Sequence, residues 1–504
     1  MERSKKIGIL LIVTAIIRAL LAWCLELGND EVYYWTYAMY PDWSHFDHPG
    51  MVGWMMQLFS FDLLLDSEFF LRLSSVVFMT FTTWIVYRIG CEIKDQATGW
   101  RAALLYTGSI YASIITGVFI MPDGPMALFW WLAFWMFLKY IHASRPIHLL
   151  LGGLFTGLCI LSKYTGAFLW VGFGLYVILY DRKQFSKPWL YLAALITAVC
   201  CLPIVIWNAQ NGWASFGFHG DRVGLFGPIC LSCFGTELAG ELFYNNPINV
   251  VIGVLAIIAI IRKKLPTSDS QHLILLTALP MISIFLIFSL SHPTLPHWSG
   301  PAYSMLILLS ACYLKRDRWA WLSAALLGVI IIGGVVEIKT GIIPLDRHTE
   351  ETNLGKDDFT LDMCGWRQAG EKFATLREKK IAAGEMKSDD DIIGNNWFPT
   401  ANIDYYIARP LGMNVLGYGP IERIHKYAWT NDKKGGFEVG KDYWYIADSH
   451  YFVDPEIAYA YSNFHSVEKV GVIPIERNGR TVRNLIVYEC KGLVYGPQNF
   501  NDKQ

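Results

Sequence analysis

Residues 7–27 read IGILLIVTAIIRALLAWCLEL, an apolar run that directly follows Lys5 and Lys6. The run is about 20 residues long, which is enough to cross a bilayer and too long for the apolar part of a cleaved signal peptide. No small-residue cleavage motif precedes Gly28, so we interpret the run as an uncleaved signal anchor with its N-terminus inside. Arg18 lies near the middle of this run, where a charge is costly, and we expect an interhelical partner for it.

Further apolar runs recur as far as residue 337. Hydrophobic residues make up 53% of the 504 and charged residues 17%, a balance that a soluble core does not explain. We therefore predict a mainly α, polytopic membrane protein. The net charge of -1 is uninformative about nucleic acid, and no strong basic stretch indicates a nucleic-acid partner, so we expect none. The runs are 7–27, 69–87, 98–118, 125–141, 148–180, 188–207, 248–261, 270–290, 299–314 and 319–337.

The loops between the runs alternate in charge, and one set is short and basic, such as RKK at 262–264 and KRDR at 315–318. The bias of Lys and Arg toward cytoplasmic loops places this set inside. Basic loops flank the run 148–180 on both sides, so it must cross twice, with its apex at LSKYTG, residues 161–166. This gives eleven crossings and an outer C-terminus.

The composition becomes mixed and polar from about Pro344. We predict a transmembrane domain over residues 1–343 and an extracytoplasmic α/β domain over residues 344–504. Cys364 and Cys490 fall in the second domain and either pair or remain inert thiols. Cys230 and Cys233 form a lone C-x-x-C without a second pair, which argues against a zinc site.

The polar residues collect in the outer loops, above all in residues 28–57, GNDEVYYWTYAMYPDWSHFDHPGMVGWMMQ. Carboxylates serve as general bases or metal ligands, and Lys and Arg bind phosphate. The pattern therefore predicts chemistry on a lipid phosphate at the outer membrane surface. The ionisable candidates are Asp30, Glu31, Asp47, His48, Arg72, Asp123, Lys163, His219, Arg222, His292 and His297.

Simpler roles compete for several of these residues. Asp30 and Asp123 each stand where a helix cap is common. Lys163 is placed to snorkel toward the interface, and Arg222 to be an ordinary loop cation. His297 is placed to be an interfacial ring among aromatic residues. Each residue alone is a weak signal, and their common placement on one face favours a site.

Six short motifs, in this order and spacing, resemble bacterial glycosyltransferases of the GT-C class. The resemblance is to the superfamily of the lipid A aminoarabinose transferases and protein O-mannosyltransferases, and it covers residues 1 to about 340. The motifs are NDEVYYW at 29–35, FDHPGMVGW at 46–54, MPDGP at 121–125, LSKYTG at 161–166, WNAQNGWASFGFH at 207–219 and PHWSGPAY at 296–303.

The resemblance implies transfer of a sugar from a polyprenyl-phosphate donor to a lipid A, glycan or protein acceptor, with inversion, at the outer face of the inner membrane. Asp30, with Glu31 beside it, stands where such enzymes keep their base, and Asp123 matches a second acid. His48 replaces the lysine of an acid, cation and proline motif. The implied donor-phosphate ligands are Lys163, Arg222, His48 and Arg72. The implied substrate contacts are Tyr33, Tyr34, Asp47, Tyr164, His219 and His297.

The resemblance leaves a divalent metal open, with Asp47, His48 and His219 as its ligands, and implies no other cofactor. A juxtamembrane helical segment is expected in the first outer loop. A polytopic transporter or lipid flippase, using the outer acids for ion or proton coupling, is the alternative function. A scaffold or receptor that presents the C-terminal domain ranks third.

Overall fold

A computed structural model of the protein describes residues 2–222, 227–265, 267–452 and 463–496. The chain divides into two compact units. Unit 1 comprises Met1–Trp23 and Pro41–Ile331, and unit 2 comprises Cys24–Tyr40 and Ile332–Gln504. Each unit is therefore built from two separate stretches of the chain.

Unit 1 is helical. Pro or an Asn or Asp side chain begins several of its helices: Asp95 accepts a hydrogen bond from the Thr98 N–H at 2.7 Å, and Asn246 accepts one from the Ile248 N–H at 3.1 Å. The helices are α1 Glu2–Cys24, α2 Asn29–Met39 (which lies in unit 2), α3 Met51–Phe59, α4 Glu68–Ile93, α5 Gln96–Thr107, α6 Asp123–Ala143, α7 Pro146–Ser162, α8 Phe168–Tyr180, α9 Pro188–Gln210, α10 Ala214–Arg222, α11 Leu231–Tyr244, α12 Pro247–Ile261, α13 Asp269–Ser289, α14 Gly300–Tyr313 and α15 Arg318–Thr340.

Six helices of the described residues are long and apolar enough to cross a membrane, namely α1, α4, α6, α9, α13 and α15. Helices α11 and α12 add a seventh span if they are taken together, although they are bent by 98° at their junction. Helices α7 and α8 are apolar but shorter. The prediction of a mainly α chain with many apolar helices is confirmed.

The core of unit 1 lies around α6. Trp130 and Trp131 are almost fully buried on this helix, and Met126 and Leu138 are fully buried. A helix that buries aromatic side chains on all sides belongs in the interior of a bundle. Helix α6 therefore holds its first residue, Asp123, in a fixed place.

The apolar run predicted over residues 148–180 is interrupted at Lys163. Helix α7 ends there in extended backbone, with φ -156° and ψ 135°, and a short 3₁₀ turn over Tyr164–Ala167 leads into α8. The expected break at LSKYTG is confirmed. Because of this break, Lys163 lies at the C-terminal end of α7 and not on one of its sides.

Unit 2 is a small α/β unit with a five-stranded mixed sheet. Its strand order is β2-β1-β3-β5-β4, and β1 is parallel to β2 and β3 while β5 is antiparallel to β3 and β4. Asn478 and Gly479 join β4 to β5 with positive φ angles, as a tight hairpin requires. Its elements are α16 Trp366–Ala382, α17 Trp397–Ile403, α18 Ile421–Ile424, α19 Tyr427–Thr430, β1 Asp391–Gly394, β2 Val415–Gly417, β3 Tyr443–Asp448, β4 Phe464–Arg477 and β5 Arg480–Leu493.

The C-terminal α/β unit was predicted, but its borders differ from the predicted 1–343 and 344–504. The segment before and within α2 packs with the C-terminal residues. The Glu26 carboxylate accepts the Trp366 N–H at 2.8 Å, and the Leu27 N–H donates to the Tyr406 hydroxyl at 2.6 Å. Pairing at this sequence separation leaves no local signal, so the sequence alone did not show it.

Cys364 and Cys490 are both free thiols in unit 2, so of the two alternatives the unpaired one is correct. Cys490 is fully buried on β5.

Candidate functional site

A buried ion pair between Asp123 and Lys163 forms the centre of the candidate site in unit 1. The Lys163 Nζ donates to Asp123 Oδ2 at 2.7 Å, and the Tyr111 hydroxyl donates to Asp123 Oδ1 at 3.0 Å. Asp123 is fully buried, and Lys163 is only 4% exposed. Both oxygens of the carboxylate are therefore occupied, which suits Asp123 to hold a cation and not to accept a proton.

The two simpler roles proposed for this pair are not the observed ones. Asp123 is the first residue of α6, preceded by Pro122 at the cap position, and its carboxylate makes no cap hydrogen bond. Lys163 is too buried to snorkel to an interface. An ammonium group has three N–H donors, and the hydrogen bonds of the described residues use one of them, on Asp123. Two donors remain for a ligand.

His48 and His297 lie near enough to Lys163 and Asp123 to interact with both charges, and His219 lies beside His48. The His219 ring lies 6.2 Å from the His48 ring and 5.1 Å from the Tyr164 ring, measured between centroids. A His219 ring nitrogen, Nε2, lies 2.8 Å from the backbone carbonyl of Asp47. Tyr164 in turn shares a hydrogen bond of 2.9 Å with Ser215 on α10. The sequence-predicted residues Asp47, His48, Tyr164 and His219 are thus brought together.

Burial changes the charge of the histidines near Lys163. It lowers the pKa of His48 to about 3, against the opposing attraction of Asp47, and Lys163 lowers it further. Burial also lowers the pKa of His297 to about 4, and Lys163 acts in the same direction. Both imidazoles are neutral near pH 7. His48 can therefore meet a phosphate as a neutral N–H donor but not as the cation that its motif position suggested.

Arg72 and Arg222 were both predicted to bind phosphate, and neither is shown in contact with Asp123 or Lys163. Arg72 is fully buried on α4, donates to the Ala22 carbonyl at 3.2 Å and lies over the Phe119 ring at 6.0 Å. These contacts tie α4 to α1. Arg222 is the last residue of α10, and its side chain lies outside the described part of the chain.

The acidic pair of the first outer loop lies in unit 2. Asp30 is exposed in the first turn of α2. Glu31 is 2% exposed, and its carboxylate accepts the Gly28 N–H at 2.8 Å, which satisfies the backbone at the start of the helix. Tyr33 and Tyr34 are both buried. Of the two acids, Glu31 thus has a structural task and Asp30 presents its carboxylate at the surface of unit 2.

Comparison with known proteins gives matches of three kinds. The family of dolichyl-phosphate-mannose-protein mannosyltransferases matches residues 47–207. The lipid A galacturonosyltransferase RgtD of Rhizobium johnstonii is 20% identical over 316 residues, which are 60% of this chain. The chain spans 63% of the length of that relative.

The third match is structural. The crystal structure of ArnT from Cupriavidus metallidurans bound to undecaprenyl phosphate matches with a TM-score of 0.65 and 12% identity, covering 97% of this chain and 99% of that one. Its apo state matches with a TM-score of 0.64, also at 12% identity, covering 96% and 98% of the two chains. The chain resembles the GT-C glycosyltransferases of the ArnT and protein mannosyltransferase superfamily.

The resemblance left open a divalent metal bound by Asp47, His48 and His219. In the described part of the chain these three residues do not bring their ligand atoms close enough together to form a metal site. The one convergence of three metal-ligating side chains among the described residues is Asp346, His348 and Asp357 in unit 2. There the Asp346 carboxylate already accepts the Gly355 N–H at 2.8 Å and contacts His348 at 2.8 Å.

Two residues of this candidate site were missed from the sequence. Tyr111 lies in a π-helical segment, Tyr111–Ile115, within an apolar run, where nothing local marks it as polar. Ser215 is one of many hydroxyls in the outer loop that was predicted between residues 207 and 247, and the structure places it on α10. The structure also pairs Cys230 with Cys233 in a disulfide, which the sequence did not predict. Only proximity in space distinguishes these residues.

Proposed function

We propose that the protein transfers a sugar from a polyprenyl-phosphate donor to an acceptor in a single displacement with inversion. The acceptor oxygen bonds to the anomeric carbon and the bond from that carbon to the phosphate oxygen breaks. Where the acceptor is a hydroxyl, its proton passes to a carboxylate. Polyprenyl phosphate leaves as an anion that a fixed cation stabilises. The acceptor is a hydroxyl or phosphate of lipid A, a glycan or a protein.

The observation that carries this proposal is the buried Lys163 with two donors unused, on a fold that matches ArnT. A cation held by a carboxylate in a dry site is preorganised for phosphate, since it needs no rearrangement when charge develops. The undecaprenyl phosphate bound to ArnT supports this donor class, and the name of RgtD, a lipid A galacturonosyltransferase, supports lipid A as an acceptor. His48 and His297 add neutral N–H donors.

We assign the general base to Asp30, because its position matches the acid of related enzymes and it is exposed. Glu31 accepts the Gly28 N–H, and the Asp123 carboxylate accepts hydrogen bonds from Lys163 and Tyr111. Asp123 is a positioning residue that holds Lys163, and Tyr164, His219 and Arg222 remain proposed contacts to substrate or phosphate.

We also propose an inner-membrane protein with eleven crossings whose unit 2 and outer loops are extracytoplasmic. The basic loops support this orientation. A disulfide between Cys230 and Cys233 supports it too, because disulfides persist in oxidising compartments.

The test of the activity uses the purified full chain in lipid nanodiscs with a panel of polyprenyl-phosphate sugars and lipid A. Mass spectrometry should detect released polyprenyl phosphate and an acceptor that is heavier by one sugar. Ion or proton flux without either product, measured in proteoliposomes, would favour the transporter instead.

The role of Lys163 is tested by Lys163→Met, Asp123→Asn and the double variant. Each single change leaves one buried group without its partner, and removing one partner of a buried pair costs about 3–5 kcal/mol of stability. The double variant should regain much of the Tm, measured by thermal unfolding, but not donor binding or transfer. Recovery of wild-type transfer in the double variant would reduce the pair to a structural contact. Lys187→Ala, at an exposed loop lysine, is the control.

A further inference from the structure

Unit 1 contains a cavity of about 340 Å³ beside α1. This volume lies within the range of small-molecule pockets, about 300–1,000 Å³. Apolar side chains of α1 and α15 form most of its wall. Along α1 the lining runs from Leu10 to Leu21, a length of ~16 Å at 1.5 Å per residue. The cavity is thus long and has the dimensions of an apolar chain.

One charged side chain lines this cavity. Arg18 is 2% exposed, and its Nη2 donates to the Ser113 hydroxyl at 3.3 Å. Its Nε and Nη1 atoms have no hydrogen-bond partner among the described residues. The Thr107 hydroxyl, which also lines the cavity, is likewise buried without a partner. The expected interhelical partner of Arg18 is therefore a neutral serine, which leaves the charge unbalanced.

An unbalanced guanidinium in an apolar wall is costly unless an anion meets it. The two unused nitrogens of Arg18 and the Thr107 hydroxyl offer several donors to one group of oxygens, which fits a phosphodiester. Such a group carries a single negative charge, which matches the single charge of Arg18. The apolar length of the cavity then takes a hydrocarbon chain.

The cavity opens toward the exposed apolar surface of α1 and α15. Val13 and Ile17 line it and are 47% and 42% exposed on α1, and Trp321 lines it and is 53% exposed on α15. Both helices are long and apolar enough to cross a membrane. A lateral opening of this kind admits lipids directly from the bilayer.

We propose that this cavity binds one anionic phospholipid of the bilayer, with its phosphodiester on Arg18 and Thr107 and one acyl chain along α1 and α15. This site does not depend on the proposed transferase activity. Its occupant is a lipid of the surrounding membrane and not the sugar donor.

The chain offers a matched pair of variants on α15. A Cβ added at Gly328, which lines the cavity, meets no atom within 4 Å, and the same holds at Gly334, which does not line it. Gly328→Phe therefore fills the cavity, and Gly334→Phe adds the same ring elsewhere on the helix. Arg18→Met removes the charge while keeping an unbranched chain.

The full chain is purified in detergent, and its retained lipids are identified by native mass spectrometry. Phosphatidylglycerol or phosphatidylcholine with the same acyl chains is then titrated during thermal unfolding. We expect one retained anionic phospholipid and a preference for phosphatidylglycerol of about tenfold or more in apparent affinity. Arg18→Met should abolish the preference and Gly328→Phe the retention, while Gly334→Phe behaves as wild type.

Three results would overturn the proposal. These are equal affinity of the wild type for the two lipids, equal retention by the two glycine variants, and a polyprenyl phosphate as the retained lipid. If Arg18→Met fails to fold, the proposal is still tested by the affinities of the wild type for the two lipids and by lipid retention in Gly328→Phe and Gly334→Phe.

Discussion

At the scale of single residues, the sequence predicts the members of the site but not their partnerships. Asp123 and Lys163 were both predicted as functional residues, one as a second acid and one as a phosphate ligand. The structure joins them at 2.7 Å, which supports our proposal that the acid holds the lysine and that the lysine binds phosphate. Their contact depends on how α6 packs against α7, and residue pattern alone does not specify that.

Asp30→Asn tests the general base, because it keeps the shape of the side chain and removes its basicity. Transfer should fall by about 100-fold or more, while donor binding and Tm stay near wild type. The measurement is the rate of polyprenyl phosphate release, alongside binding of the donor lipid.

The matched control is Glu31→Gln, since a glutamine can still accept the Gly28 N–H and keep the start of α2 intact. We expect near-normal transfer from it. If Glu31→Gln abolishes transfer and Asp30→Asn does not, the base is Glu31.

At the scale of secondary structure, apolar periodicity located most helices, and the break at Lys163 followed from the charges of the flanking loops. The run predicted over residues 98–118 is instead broken after α5. Gly108 ends that helix, and a Cβ there would lie 2.2 Å from the Ser323 hydroxyl oxygen on α15. The close approach of α15 requires a residue without a side chain at this position, and a contact with a helix so far along the chain could not be found in the run itself.

The start of α14 positions Tyr111, and through it Asp123. A Cβ added at Gly300 would lie 2.4 Å from the Tyr111 ring. Gly300→Ala should therefore push the ring away from Asp123, lower the stability by about 1–3 kcal/mol as overpacking does, and slow transfer. Thermal unfolding and product release measure the two effects.

Gly253→Ala on α12 is the matched control, because the nearest atom to its new Cβ lies at 3.6 Å, an ordinary contact. We expect its Tm and transfer rate to match the wild type. Normal transfer in Gly300→Ala would mean that Tyr111 does not position the acid.

At the scale of the whole molecule, the sequence predicts a helical membrane part and a C-terminal α/β part, and both are present. It does not predict that Cys24–Tyr40 belongs to the second unit. Local composition shows where a segment is apolar or polar, whereas its packing partner, far along the chain, leaves no trace in the segment itself.

The proposed topology is tested with single cysteines at two exposed positions. A membrane-impermeant maleimide should label Val439→Cys in intact spheroplasts, because 439 lies in the proposed extracytoplasmic unit. Lys183→Cys, in a basic loop, should react only after permeabilisation. The unsubstituted chain gives the background, and the reverse pattern of labelling would invert the orientation.

The contact between Glu26 and Trp366 also has a consequence for biosynthesis. The two residues are separated by 340 positions, so at about 5–20 residues per second the ribosome needs roughly 17–70 s between them. Throughout that interval the aromatic side chains of α2 have emerged while their later neighbours do not yet exist. A nascent chain stalled before residue 366 should therefore expose this segment to protease or to a chaperone, and completion of the polypeptide should end that exposure.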